Sequence, residues 1–123
     1  MSLYLTPLNI GEVTVIDAAG RITLGENTMS FRKMIHELTA AGRKKILLNM
    51  ADITYIDSSG IGELIAAYTS VKHQGGSVKL LNPTKRVCDL LHITKIYTIF
   101  EVFEDRSKAM NSFADSAAAG TPN

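Results

Sequence analysis

Lys45-Ile46-Leu47-Leu48-Asn49-Met50-Ala51-Asp52-Ile53-Thr54-Tyr55-Ile56-Asp57-Ser58-Ser59-Gly60-Ile61-Gly62 passes from an unbroken apolar run, through a second apolar stretch, into a loop of hydroxyls and glycines. Ile46-Leu47-Leu48 does not alternate apolar with polar. The strand it forms is therefore expected to be covered on both faces by helices and to lie centrally in a sheet. Beyond Ile53 to Ile56, Ser58 or Ser59 is placed to cap a helix with the stripe Ile61, Leu64, Ile65, Tyr68 and Val71, closed by Gly75-Gly76. Ser77 to Leu81 returns as a strand, so the connection is a right-handed parallel crossover.

Upstream, Leu3, Leu5, Val13 and Val15 alternate with polar residues across a loop at Asn9-Ile10-Gly11, which predicts two antiparallel strands. A helix follows, capped by Asn27 or Thr28, with Phe31, Met34, Ile35 and Leu38 on one stripe and Gly42 as its stop. Downstream, Asn82 caps and Pro83 opens a third helix that buries Val87, Leu90 and Leu91. Ile96 to Phe103 is expected as the last strand, and Asp105 to Phe113 as a terminal helix anchored by Met110 and Phe113. The expected architecture is one α/β domain over residues 1–113: a mixed β-sheet, two antiparallel strands then βαβ crossovers, with about four helices on its faces. The Ala/Ser/Gly-rich residues 114–123 are expected to form a disordered tail.

Several function classes are disfavoured. Thirteen basic residues against twelve acidic leave a net charge of +1, so no global field favours nucleic acid or an anionic membrane. The densest basic cluster, Arg43-Lys44-Lys45, follows the first helix and reads as a complement to its dipole. No apolar run approaches the roughly 20 residues that span a bilayer, and Met1 to Ile10 lacks the pattern of a signal segment. A cytoplasmic protein without membrane insertion is expected. Cys88, the lone cysteine, reads as a small core residue, and no spacing of Cys and His suggests a metal; no cofactor is expected.

The distinctive loop is Asp57-Ser58-Ser59-Gly60-Ile61-Gly62. One serine is enough to cap a helix. The second serine, and two glycines that each cost about 1 kcal/mol relative to Ala inside a helix, are left over and point to an accessible site. It does not read as a catalytic one. His73 lies at the far end of the same helix, roughly 22 Å away, and no Gly-x-Ser-x-Gly elbow surrounds Ser58 or Ser59; His36 and His92 are not placed by the sequence. Gly20-Arg21-Ile22-Thr23-Leu24-Gly25 has the glycine spacing of a phosphate-binding loop, but Glu26 and Asn27 stand where a lysine and a hydroxyl are required. Gly60-Ile61-Gly62 begins a dinucleotide fingerprint, but Ile65 replaces its third glycine.

That loop, preceded by Ile46-Leu47-Leu48 and followed by Gly75-Gly76 and a strand, resembles the STAS domain of bacterial anti-sigma-factor antagonists, over about Tyr4 to Phe113. The resemblance implies a phospho-switch rather than an enzyme. In that family the serine directly after the acid, here Ser58, is phosphorylated by the anti-sigma factor, a serine kinase with a histidine-kinase-like ATPase fold. The unphosphorylated antagonist binds that kinase and frees the sigma factor; phosphorylation breaks the complex, and a serine phosphatase restores it. The implied partner-binding residues are Thr23, Asp57, Ser58, Ser59, Gly60 and Ile61. Thr23 is a departure, since many members carry an acid there, in a loop after the second strand (Gly20-Arg21-Ile22-Thr23) that helps form the contact surface. The rival within the same fold is a non-switching scaffold in a signalling assembly or beside a transporter, with Ser58 as a mere cap.

Overall fold

The computed structural model describes residues 3–120, with side chains as far as Ala114. In chain order the elements are β1 (Leu3–Ile10), β2 (Val13–Ile22), α1 (Glu26–Ala40), β3 (Lys45–Ile56), α2 (Ser58–His73), β4 (Ser77–Leu81), α3 (Lys85–Ile93), a 3-10 turn (Ile96–Thr98), β5 (Val102–Phe103) and α4 (Arg106–Gly120). The five strands lie in the order β1-β2-β3-β4-β5, with β1 and β2 antiparallel and every later pairing parallel. This is the mixed α/β sheet the pattern predicts. Most of the tail expected at 114–123 falls outside the described side chains.

Ile46-Leu47-Leu48 behaves as its lack of alternation requires. Ile46 and Leu48 enter the larger core with Phe31 and Ile35 of α1, Leu64 and Val71 of α2 and Val87 of α3. Leu47 points the other way, into a smaller core with Val13, Val15 and Leu81 beneath Ala109 and Phe113 of α4. Lys79 is the polar surprise in this second layer. Only 2% exposed, it reaches Ser112 Oγ at 2.9 Å and Glu101 at 3.0 Å and lies 4.6 Å from the Phe113 ring centroid, fastening α4 to β4.

Several local expectations are corrected. Asn9 and Ile10 belong to β1, and Gly11-Glu12 makes the hairpin turn, Gly11 adopting φ +61°. Gly25, at φ +106°, occupies the cap position of α1; Asn27 and Thr28 lie inside the helix. Neither Asn82 nor Pro83 starts α3, because Asn82 takes a left-handed φ of 51° and the cap passes to Thr84, whose hydroxyl accepts from the Val87 amide. Ile96 to Phe103 is not one strand. Ile96 and Phe100, both buried, sit at helical spacing around the 3-10 turn, and only Val102 and Phe103 pair with β4. The Arg43-Lys44-Lys45 cluster braces the β1–β2 hairpin: Arg43 donates to Thr14 Oγ1 and the Gly11 carbonyl, and Lys45 pairs with Glu12. Cys88 is half-buried, and burial pushes its thiol pKa up.

One feature of the sheet positions the site. β3 pairs with β4 only as far as Asn49↔Leu81, yet continues to Ile56 with β2 alone beside it. Register shifts in the β2–β3 pairing fall between Asp17 and Ala19 and between Gly20 and Arg21, and β1 flanks this ribbon on its other side as far as Gly20. Gly20, Arg21 and Ile22, expected in a loop, are the end of β2; only Thr23 follows the strand.

Candidate functional site

The turn from β3 into α2 stands at the tip of that ribbon. Asp57, not a serine, caps α2: its Oδ1 accepts from the Gly60 amide at 2.9 Å, and its extended backbone (φ −100°, ψ −177°) hands the chain from strand to helix. Its Oδ2 accepts from the Leu24 amide at 3.0 Å, and its own amide donates to the Ile22 carbonyl at 3.2 Å. A single carboxylate thus ties the start of α2 to the end of β2. The amides of Gly60 and then Leu24 hold the Asp57 carboxyl below the usual carboxylate value.

With the cap supplied, both serines are released from it. Ser58 is the first residue of α2 and is exposed; Ser59 is half-buried. Among the described residues, neither hydroxyl makes a hydrogen bond to a protein group. The expectation that one of them caps the helix is corrected, because the acid before them reaches the Gly60 amide first.

The two glycines differ. A Cβ on Gly60 would lie 2.2 Å from the Ile22 carbonyl oxygen and 2.6 Å from Ile56 Cγ1, so the first turn of α2 packs against the end of β2 only with glycine there. At Gly62 an added Cβ would meet nothing within 4 Å. Gly62 is exposed, and packing gives no reason for it. Gly60 and Ile61 are both buried and form the floor of the turn, while Asp57, Ser58 and Ser59 form its surface. Thr23, half-buried, accepts from Asn27 Nδ2 at 3.1 Å across the turn. The structure therefore gathers Thr23, Asp57, Ser58 and Ser59 at one end of the sheet.

Two residues beside them were missed by sequence reading. Leu24, bonded to Asp57 through its amide, is 77% exposed, and Met29 in the first turn of α1 is 65% exposed. Both stand off the Phe31, Met34, Ile35 and Leu38 stripe, and an apolar residue off the stripe was the available signal. Glu63 lies beyond the first turn of α2. It forms a two-pronged ion pair with Arg32 of α1, at the rim of a cleft of about 160 Å³ that also takes in Phe31, Ile35, His36 and Ala67. No histidine attends the serines. His73 ends α2, His92 lies 4.8 Å from the Tyr97 ring, and His36 lines the α1–α2 cleft.

The STAS domain model matches residues 5–109, and the chain belongs to the STAS domain family. A protein of Thermotoga neapolitana named as an anti-sigma factor antagonist is 32% identical over 105 residues, covering 85% of this chain and 93% of that protein. The anti-sigma-B factor antagonist of Bacillus subtilis is 30% identical over 87 residues, covering 71% of this chain and 78% of its own. The crystal structure of a Thermotoga maritima protein described as an anti-sigma factor antagonist has the same fold, with a TM-score of 0.83 at 24% identity over 89% of this chain and 94% of that one. No helix among the described residues is long and apolar enough to cross a membrane.

Proposed function

We propose that this chain is an anti-sigma-factor antagonist whose binding to its partner is switched by phosphorylation of Ser58. The observation that carries the reading is the uncommitted hydroxyl of exposed Ser58, in a turn whose cap Asp57 provides instead. A side chain with no structural task, exposed at the first position of α2, is free to be modified without cost to the fold. The names carried by relatives along the chain supply the class of partner, an anti-sigma factor. That partner acts as the serine kinase, and a serine phosphatase resets the switch; the antagonist works in the cytoplasm and performs no catalysis itself.

The energetics favour a switch on binding. Phosphoserine adds about −1.5 to −2 charges, which the α2 N-terminus favours by roughly 0.3 to 1 kcal/mol and neighbouring Asp57 opposes. The fold survives both small terms. In the complex, burying Leu24 and Met29 supplies roughly 1.5–3 kcal/mol for each side chain. A partner closing over Ser58 would also have to desolvate the new dianion, which costs several kcal/mol without a matching cation. Each 1.4 kcal/mol is tenfold in affinity, so a loss of about a hundredfold follows.

The test is incubation of the chain with its native anti-sigma factor and ATP, followed by intact mass and peptide mapping. One added phosphate on Ser58, absent from Ser58→Ala, is the expected result. No phosphate would mark the chain as a non-switching scaffold of the same fold, and phosphate on Ser59 would move the switch.

A further inference from the structure

Two arginines meet at the same end of the sheet, and the switch reading makes no use of them. Arg21 lies at the end of β2, paired in register with Tyr55 of β3, and its Cζ stands 4.8 Å from the Tyr55 ring centroid. Arg86, in the first turn of α3, brings its Cζ within 5.9 Å of the same ring. Tyr55 precedes the capping Asp57 by two residues, and Arg21 precedes Thr23 by two. Arg21 and Tyr55 thus come from the ribbon that carries the turn, and Arg86 joins them from α3.

We infer that Arg21, Tyr55 and Arg86 form a docking site for an acidic segment of the protein partner that covers the Ser58 turn; the inference rests on the reading of that turn as an interface. Neither guanidinium has an ion pair or hydrogen bond among the described residues, and Arg21 Nε is shut off from solvent with no acceptor. Some other cations are matched with acids, among them Arg32 with Glu63, Lys45 with Glu12, Lys85 with Asp89 and Arg106 with Asp17. Asp57, the acid nearest in sequence to Tyr55, has both oxygens committed to the amides of Gly60 and Leu24.

The geometry selects the chemistry. A guanidinium near the face of an aromatic ring is attracted to it, and its planar donor pairs match a carboxylate in two-pronged fashion. Arg and Tyr are enriched at the strong centres of protein interfaces. Nucleic acid fits less well, because it needs an extended basic track, and the whole chain carries a net charge of only +1.

The test measures affinity of the native anti-sigma factor for the wild type, Arg21→Glu, Arg86→Glu and the double variant, at about 50 and 300 mM salt, with melting curves for each. Each single reversal is expected to weaken binding about tenfold and the double about a hundredfold, and the wild type alone should lose affinity as salt rises. Should a reversal melt early, Arg21→Gln and Arg86→Gln remove the charge more gently and are expected to weaken binding in the same order. Wild-type affinity in the folded double variant overturns the inference yet leaves the Ser58 switch standing; failure of the switch itself would appear as binding indifferent to phosphate on Ser58. As a direct probe, hexaglutamate peptide should shift the guanidinium resonances of Arg21 and Arg86 in the isolated chain. A shift with inorganic phosphate alone would overturn the carboxylate assignment.

Discussion

Two strand-to-helix turns lie at the same edge of this sheet, and they use their hydroxyls in opposite ways. After β4, Thr84 caps α3: its Oγ1 accepts from the Val87 amide and donates to the Ile53 carbonyl, each at 3.3 Å. After β3, the cap of α2 is Asp57, and the hydroxyls that follow it, on Ser58 and Ser59, make no hydrogen bond among the described residues. The difference teaches where to look for function on a fold like this one. At Thr84 a hydroxyl is fully engaged in structure, whereas at Ser58 structure is satisfied by the neighbour and the hydroxyl is left for chemistry.

The largest effect on the fold should come from beneath the second turn. Gly60→Ala places a Cβ against the Ile22 carbonyl and Ile56, so α2 must shift off β2; overpacking of this kind costs about 3 kcal/mol, and urea melts should show it. Gly62→Ala, in open space, should instead stabilise α2 by up to about 1 kcal/mol. If the two alanines behaved alike, the contrast between floor and surface of the turn would be wrong.

Removing the three side chains of the comparison should give a graded series. Asp57→Ala loses a cap and the tie to Leu24, and is expected to cost up to about 2 kcal/mol at neutral pH; Thr84→Val should cost about 1 kcal/mol, and Ser58→Ala less than about 0.5. The Asp57 difference has a pH signature. Its carboxyl is depressed below 3.8 in the folded chain, so its stabilisation is fully present above that unfolded value and is lost as pH falls through the lower folded one. Melting curves should therefore show wild type and Asp57→Ala converging below about pH 3.8 but parallel from pH 5 upward. An early-melting Ser58→Ala would restore Ser58 as a structural residue.

What the sequence shows and what it hides divide along the same line. Ile46-Leu47-Leu48 announces a two-sided central strand because burial on both faces is a local pattern, and the α1 and α2 stripes are equally local. The turn itself is visible as a cluster of Asp, Ser and Gly. Which member caps it is not, since Asp and Ser cap equally well and the choice is fixed by the Leu24 amide, 33 positions away in the chain. The role of Gly60 depends likewise on the Ile22 carbonyl, and the meeting of Arg21, Tyr55 and Arg86 on strand pairing followed by a crossover. The expected last strand failed for a local reason: Ile96 and Phe100 satisfy helical spacing as well as a strand's apolar content, and the left-handed Lys95 at φ 61° starts the tighter turn.

The central claim, that Ser58 serves an interface and not the fold, is tested most directly by the affinity of the native anti-sigma factor for wild type, Ser58→Ala and Ser58→Asp, each confirmed folded by its melting curve. The account predicts wild-type binding by Ser58→Ala and a loss of about a hundredfold by Ser58→Asp, a partial loss still counting because Asp carries one charge where phosphate carries nearly two. Equal binding by Ser58→Asp and wild type would contradict it.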